Sequence, residues 1–258
     1  MEIQVWQSLA IAIWVALVQS RAFFGLATLT LRFSPMMTGL VVGVVMGDIA
    51  NAMMITATIQ LFYMGVFAPG GQMPSEPAVA AAIAVPVALM SGLSPEESVG
   101  IAVPVGLLGG YLYQFRFFLN TFVGKLWDTH AANANDSGLT RSIILYPFLI
   151  SLAIYIPFMF ITLQYGAPLI ASFVEANASS RLFHVLTVIG GGLAAIGIGV
   201  SVYVIGKKDY LVFFFLAYFL AVALKDLQIM MVVWAILGAL LAMIFVLVKN
   251  EAVDASGQ

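Results

Sequence analysis

The amino-acid sequence predicts an all-α polytopic membrane protein with broken and re-entrant helices. Three observations carry that fold class. Of the 258 residues, 62% are hydrophobic and 9% charged, against roughly 25% charged residues in a soluble domain. The apolar residues fall in continuous runs rather than in the alternation of a membrane β-barrel. Through those runs are spread 23 glycines and 10 prolines, as in closely packed, interrupted membrane helices.

Taken in order, Ile3 to Ser20 is apolar and long enough for about one span. No basic n-region precedes it, so it reads as a retained membrane helix. Ala22 to Leu31, between Arg21 and Arg32, is too short to cross, since a span needs about 20 residues; an interfacial or re-entrant segment is expected. Ser34-Pro35 marks a helix start, with Ser34 as cap and Pro35 in the first turn. Met36 to Met46 and Ala52 to Phe67 are apolar runs separated by Asp48 and Asn51. A long kinked helix and a helical hairpin both fit them. Ala78 to Leu93 is rich in small residues and carries Pro86, which predicts a kink or a half-helix. Ser94-Pro95-Glu96-Glu97 has the pattern of a capped helix start, and the chain is then apolar from Val99 to Leu126 apart from Arg116. That arginine, flanked by Phe115, Phe117 and Phe118, is expected to snorkel to an interface.

Trp127 to Thr140 (WDTHAANANDSGLT) is the one extended polar stretch in the interior. It divides the chain into a first membrane half at 1–126, a connecting loop at 127–141, a second membrane half at 142–248 and a polar tail at 249–258. In the second half, Ile143 to Gln164 reads as a span and Ala167 to Ser180 as a surface helix or loop. Leu182 to Ile205 is glycine-rich, Leu211 to Leu224 is short and aromatic, and Leu227 to Val248 spans. Glycine-punctuated runs precede a polar break in both halves, at Gly39–Asp48 and Gly190–Asp209, and short segments recur in both. That pattern is compatible with an inverted repeat. Arg and Lys occur on nearly every polar connection, so charge asymmetry assigns no orientation.

Thr38 to Pro77 organises the first half. Its apolar runs lead into a Pro/Gly-bracketed turn, Ala68-Pro69-Gly70-Gly71-Gln72-Met73-Pro74-Ser75-Glu76-Pro77. Non-helical backbone between hydrophobic runs is tolerated at membrane depth only where protein or a polar cavity covers it, and interrupted segments point to a transporter's binding site. Gln60, Gln72, Ser75 and Glu76 are the candidate substrate contacts. Amides and carboxylates bond pairs of sugar hydroxyls within pockets otherwise apolar or aromatic, and Phe62 and Tyr63 can supply a ring face. The same residues also fit a solvated loop with helix caps. Asp48 and Asn51, one helical turn apart, either line the path or cap a helix. Lys225-Asp226 is either a gate or a local ion pair at a helix break.

The sequence also excludes classes. It has no cysteine and only two histidines, which rules out disulfides, cysteine metal sites and a polyhistidine cluster within one chain. No nucleophile–base pair, metal motif or phosphate loop is visible; Gly190-Gly191-Gly192 lacks the flanking strand and the Lys-Ser/Thr of a nucleotide loop. No metal, cofactor or nucleic-acid partner is expected, and no covalent chemistry by this chain alone. A membrane substrate-capture subunit of an ATP-driven importer and a membrane scaffold remain open beside a transporter.

The ordered set of segments resembles the IIC subunit of mannose-family sugar phosphotransferase systems. TGLVVGVVMGD at Thr38–Asp48 is similar to the family's Gly-rich block ending in Gly-Asp. ITATIQLFYMGVFAPGGQMPSEP at Ile55–Pro77 resembles the segment that runs through a Gly-Gly-Thr-Leu-Glu-like block into a Gly-rich turn. IGGGLAAIGIGV followed by KKDYLVFFFLAYFLA resembles the C-terminal half. Departures fall in the pocket region: Gln60 stands where the family commonly has glutamate, Pro74-Ser75-Glu76 where it has Pro-Pro-Asn or Pro-Asp, and Arg32-Phe33-Ser34-Pro35 where it has Arg-Pro. The resemblance implies a partner IID membrane subunit and a trimer of IIC–IID pairs in the bacterial cytoplasmic membrane. It also implies an elevator-like movement of sugar to cytoplasmic IIB, which is served by IIA and phosphorylates the sugar. It favours a hexose or amino sugar, N-acetylgalactosamine or galactosamine ahead of mannose or sorbose.

Overall fold

The computed structural model describes residues 3–64, 75–177, 210–224 and 231–255, with Val185, Val188, Ile189, Gly192, 195–200, Val202, Tyr203 and Leu227 between them. Every regular element among the described residues is helical. The chain divides into two compact units, Met1–Ser201 and Val202–Gln258.

The first unit opens with α1 (Val5–Gln19), followed by the short helices α2 (Arg21–Phe24) and α3 (Ala27–Phe33). At 15 residues, α1 reaches only about 22 Å at about 1.5 Å per residue, below the hydrocarbon thickness of about 30 Å. The single span expected over Ile3–Ser20 is therefore shorter than a crossing, because Ser20 turns extended (φ −88°, ψ 126°) and ends the helix. Helix α3 meets α4 (Pro35–Met46) at a 76° bend, a broken span or a re-entrant loop, with α4 starting at the expected Ser34-Pro35.

Helix α4 folds back on α5 (Ile49–Tyr63), so the hairpin is the arrangement adopted. The reversal needs Gly47, which sits at φ 79°, in the left-handed region that glycine enters without steric cost. The arms pack at glycine: a β-carbon on Gly39 would collide with Thr56, and one on Gly43 would crowd Ala52 and Ile49.

Helix α6 (Pro77–Ser91) lies at the centre of this unit, in contact with α1, α3, α4, α5, α7 and α10. Its sequence explains the placement. Ala78, Ala80, Ala81, Ala82, Ala84 and Ala88 carry no long side chain, and all are buried, so neighbours close in from every side. Pro86 lies inside a helix that continues to Ser91. Helix α7 (Pro95–Ala132) is 38 residues long and begins with the expected capping box: Glu97 N–H donates to Ser94 Oγ at 3.3 Å, and Ser94 N–H donates to Glu97 Oε2 at 2.8 Å.

The connection expected at 127–141 is largely helical, since α7 continues to Ala132 and α8 (Asp136–Thr140) resumes three residues later. Helix continues through a π-helical turn at Arg141–Leu145, α9 (Tyr146–Ile161), a second π-helical turn at Thr162–Gly166, and α10 (Ala167–Asn177). Ala167–Asn177 therefore extends a membrane helix and buries Ala167 and Ala171 in the core; it is not the surface segment its Glu175 and Asn177 suggested.

The second unit holds α11 (Leu211–Ala223) and α12 (Met231–Ala255), with Phe213 and Phe245 edge to face at 5.2 Å. Helix α12 carries on through much of the polar tail. Pro95–Ala132, Asp136–Ser172 and Val233–Asn250 are long and apolar enough to cross a membrane, and the bent α3–α4 pair makes a fourth candidate. Most of the glycine-rich run expected to echo Gly39–Asp48 lies outside the described residues.

A buried polar cluster around Glu76

Ser75 and Glu76 are the non-helical residues immediately before α6, with Pro77 in its first turn. The Glu76 backbone N–H donates to the Gly106 carbonyl on α7 at 2.9 Å. Glycine at 106 and 109 makes that approach possible, because a β-carbon at either would collide with Tyr63 and Ser75, or with Glu76 and Val79. The Glu76 side chain is fully buried.

Its carboxylate is held by two residues from two other helices. Arg32 of α3 donates from Nε to both carboxylate oxygens, at 2.8 and 3.1 Å, and from Nη2 to Oε1. Gln19 at the end of α1 donates from Nε2 to Oε2 at 2.8 Å. The Arg32 guanidinium also stacks over the Tyr113 ring, 3.5 Å from its centre. A buried carboxylate and guanidinium are costly unless paired and hydrogen-bonded, and this geometry meets both conditions.

Beside the pair, the Ser75 hydroxyl donates to Tyr63 Oη at 3.0 Å, and Tyr63 Oη donates to the Ala102 carbonyl at 3.4 Å. Gln60 of α5 accepts from the Ser34 hydroxyl at 3.0 Å. Ser34 thus spends its side chain across the α3–α4 break and leaves α4 without a side-chain cap. Phe62 meets Tyr63 edge to face. Ser75, Glu76, Tyr63 and Phe62 therefore share one region, with Gln60 joined to the same broken helix that carries Arg32. Gln72, Lys225 and Asp226 lie outside the described residues.

Asp48 and Asn51 stand apart as the cap of α5: Asn51 donates to the Asp48 carboxylate from its backbone N–H at 3.2 Å and from Nδ2 at 2.7 Å. They line a cleft of about 240 Å³ with Ile55, Leu89 and Pro95.

Arg116 does not snorkel. Its side chain is buried, and Nη1 donates to the backbone carbonyl of Gln19 and to Ser151 Oγ at 3.3 Å. The reason is that α1 ends against α7, leaving a terminal carbonyl that needs a donor. Gln19, Arg32, Tyr113 and Arg116 were absent from the residues selected by sequence. The available signal was charge balance: two arginines beside or inside apolar segments call for a carboxylate partner, but Asp48, Glu96, Glu97 and Asp128 each stand nearer to one of them in sequence, so that signal does not single out Glu76.

The family described as the PTS system sorbose-specific IIC component matches residues 5–244. No curated protein matches the chain. A solved structure described as a membrane protein superposes with TM-score 0.72 at 19% identity, covering 95% of this chain and 96% of that one. A cryo-electron-microscopy structure of the mannose transporter ManYZ in complex with microcin E492 (MceA) gives TM-score 0.56, also at 19% identity over 95% and 96%. At such identity the two structures speak for the fold alone.

Proposed function

Because this chain belongs to the sorbose-specific IIC family of sugar phosphotransferase systems, we propose that it binds a hexose or amino sugar and moves it across the membrane for phosphorylation by IIB. Its role as a membrane transport subunit follows from the family. N-acetylgalactosamine or galactosamine is favoured, then mannose or sorbose. The working form is a trimer of IIC–IID pairs in the bacterial cytoplasmic membrane, with IIA and IIB carrying the phosphoryl group. The likeness in fold to ManYZ, a mannose transporter, supports this reading.

The observation that carries the site is the convergence of Gln60, Tyr63, Ser75 and Glu76 where a bent helix pair meets the non-helical start of α6. In this proposal sugar hydroxyls bond to Gln60 and Ser75, and exchange with Gln19 on Glu76 Oε2. Gln72 completes the contacts, and Phe62 and Tyr63 flank the ring. Arg32 pairs with the carboxylate and aims it. Glu76 is fully buried, so sugar reaches it only when the surrounding helices shift, which an elevator-like step supplies. Asp48, Asn51, Lys225 and Asp226 are assigned to the pathway or its gates. The division at 127–141 separates the half that handles substrate from the half that follows it.

Co-expression with a candidate IID subunit, followed by binding of a panel of labelled sugars, tests the proposal. Saturable binding of one sugar by the pair, and little by this chain alone, supports it. Equal binding by the chain alone points instead to a substrate-capture subunit. No sugar binding by either preparation leaves a scaffold.

A further inference from the structure

Arg32 and Arg116 bring two positive charges to the buried cluster and Glu76 brings one negative charge, so the cluster carries one net positive charge. Among the described residues Arg32–Glu76 is the one ion pair, and Arg116 has no carboxylate partner. Its guanidinium spends Nη1 on the Gln19 carbonyl and Ser151, while Nε is buried without a hydrogen-bond partner. The carbonyl end of α1 offsets part of that charge, equivalent to about half an elementary charge. An intramembrane cation left with an unmet donor is expensive and marks a functional position by default.

Arg116 also lines a cleft of about 650 Å³ between α7 and the start of α9. The cleft runs along α7 from Arg116 through Asn120 and Thr121 to Trp127, with Phe148 and Ser151 opposite. Those positions follow one face of the helix, so the cleft is about 16 Å long at about 1.5 Å per residue. At its other end stand Gly124, Ile143 and Trp127, and Trp127 is fixed there by donating Nε1–H to the Ser142 carbonyl at 2.8 Å. Asn120 Oδ1 is a second buried atom with no partner, and it is an acceptor. The cleft is thus lined by a cationic side chain with an unmet donor and, one turn along α7, by an amide with an unmet acceptor, beside aromatic walls.

We propose that this cleft is an anion site for a phosphate ester bearing hydroxyl groups. The phosphate meets Arg116, a hydroxyl donates to Asn120 Oδ1, and the carbon skeleton lies against Phe148 and Trp127. Arginine suits the phosphate because its planar donors match the oxygen geometry and it stays charged when buried. The site is separate from the proposed sugar contacts and does not depend on them. Two sources present this chemistry, a soluble sugar phosphate and the glycerol phosphate headgroup of an anionic lipid.

The test uses the full chain purified with its membrane partner. One arm measures binding of glucose 6-phosphate, with inorganic phosphate as competitor, by calorimetry in neutral detergent. The second follows retention of phosphatidylglycerol against phosphatidylcholine in mixed nanodiscs by native mass spectrometry. Arg116→Met is expected to weaken the active arm at least tenfold and Asn120→Leu about threefold, while Arg116→Lys keeps part of the binding. Response in the first arm alone assigns a soluble ester and in the second alone a lipid headgroup, and either supports the site. Should Arg116→Met fail to assemble, Asn120→Leu and Arg116→Lys carry the test. No binding in either arm, or binding unchanged in the variants that assemble, overturns the proposal.

Discussion

Arg32 and Glu76, 44 residues apart in sequence, meet as an ion pair joined by three hydrogen bonds, with side chains 4% and 0% exposed. The pair ties the short helix before the α3–α4 bend to the first residue before the central helix. Breaking one side leaves the other charge buried and unpaired, which costs about 3–5 kcal/mol, whereas removing both by residues of similar volume is often neutral. Arg32→Met and Glu76→Gln should each lower the melting temperature of the purified protein strongly. The double variant should recover part of the loss, and a double-mutant cycle reads the coupling. Additive losses would show that the pair does not couple α3 to α6.

Glycine at 39 is required by contact. Gly39→Ala places a β-carbon into Thr56, and overpacking of this kind costs about 1–3 kcal/mol. Adding Thr56→Gly should return much of that stability, measured by thermal unfolding in detergent. An unchanged melting temperature for Gly39→Ala would mean that the hairpin arms are further apart than described.

Helix α7 starts on a reciprocal cap. Ser94→Ala removes the hydroxyl that accepts from Glu97 N–H, and loss of such a cap costs about 0.5–2 kcal/mol. Amide hydrogen exchange over residues 95–98 should accelerate, with the helix beyond Val99 unaffected.

Asp48 separates two assignments. As a cap of α5, Asp48→Ala should cost about 1 kcal/mol and Asp48→Ser much less, with sugar affinity unchanged in both. The assignment to the pathway predicts that Asp48→Ser lowers uptake at full stability; unchanged uptake would leave Asp48 as a helix cap alone.

At the proposed sugar contacts, Gln60→Ala removes a hydrogen-bonding amide and should weaken sugar binding by about 0.5–1.5 kcal/mol, and loss of the charge-assisted bonds in Glu76→Ala by about 1.5–3 kcal/mol. Because Glu76→Ala also strands Arg32, Gln60→Ala is the cleaner probe. Binding unchanged in Gln60→Ala, with the complex assembled, would remove Gln60 from the site.

Several features were legible in the sequence because each depends on neighbouring residues. The box Ser94–Glu97, the break at Arg32–Pro35, the cap at Asp48 and the non-helical residues before Pro77 are local signals, and the structure contains them all. Arg116 was misread because its environment is set by α1, 97 residues away, and a flanking run of phenylalanines looks the same on a buried face as at an interface. Ala167–Asn177 was misread because its polar residues hide the alanines that pack on α6. The Gln19–Glu76–Arg32 contacts join three helices through the tertiary fold, and no periodicity encodes them; the need to balance charge calls for a carboxylate without singling out Glu76.

Co-reconstitution of the chain with its IID partner in proteoliposomes, with IIA, IIB and a phosphoenolpyruvate-driven phosphoryl supply on one side only, tests the central claim most directly. The account predicts that labelled sugar added on the opposite side accumulates as sugar phosphate, that accumulation stops without phosphoenolpyruvate, and that Gln60→Ala lowers it. Sugar that crosses unphosphorylated, or no accumulation for any hexose or amino sugar with the complex intact, would contradict it.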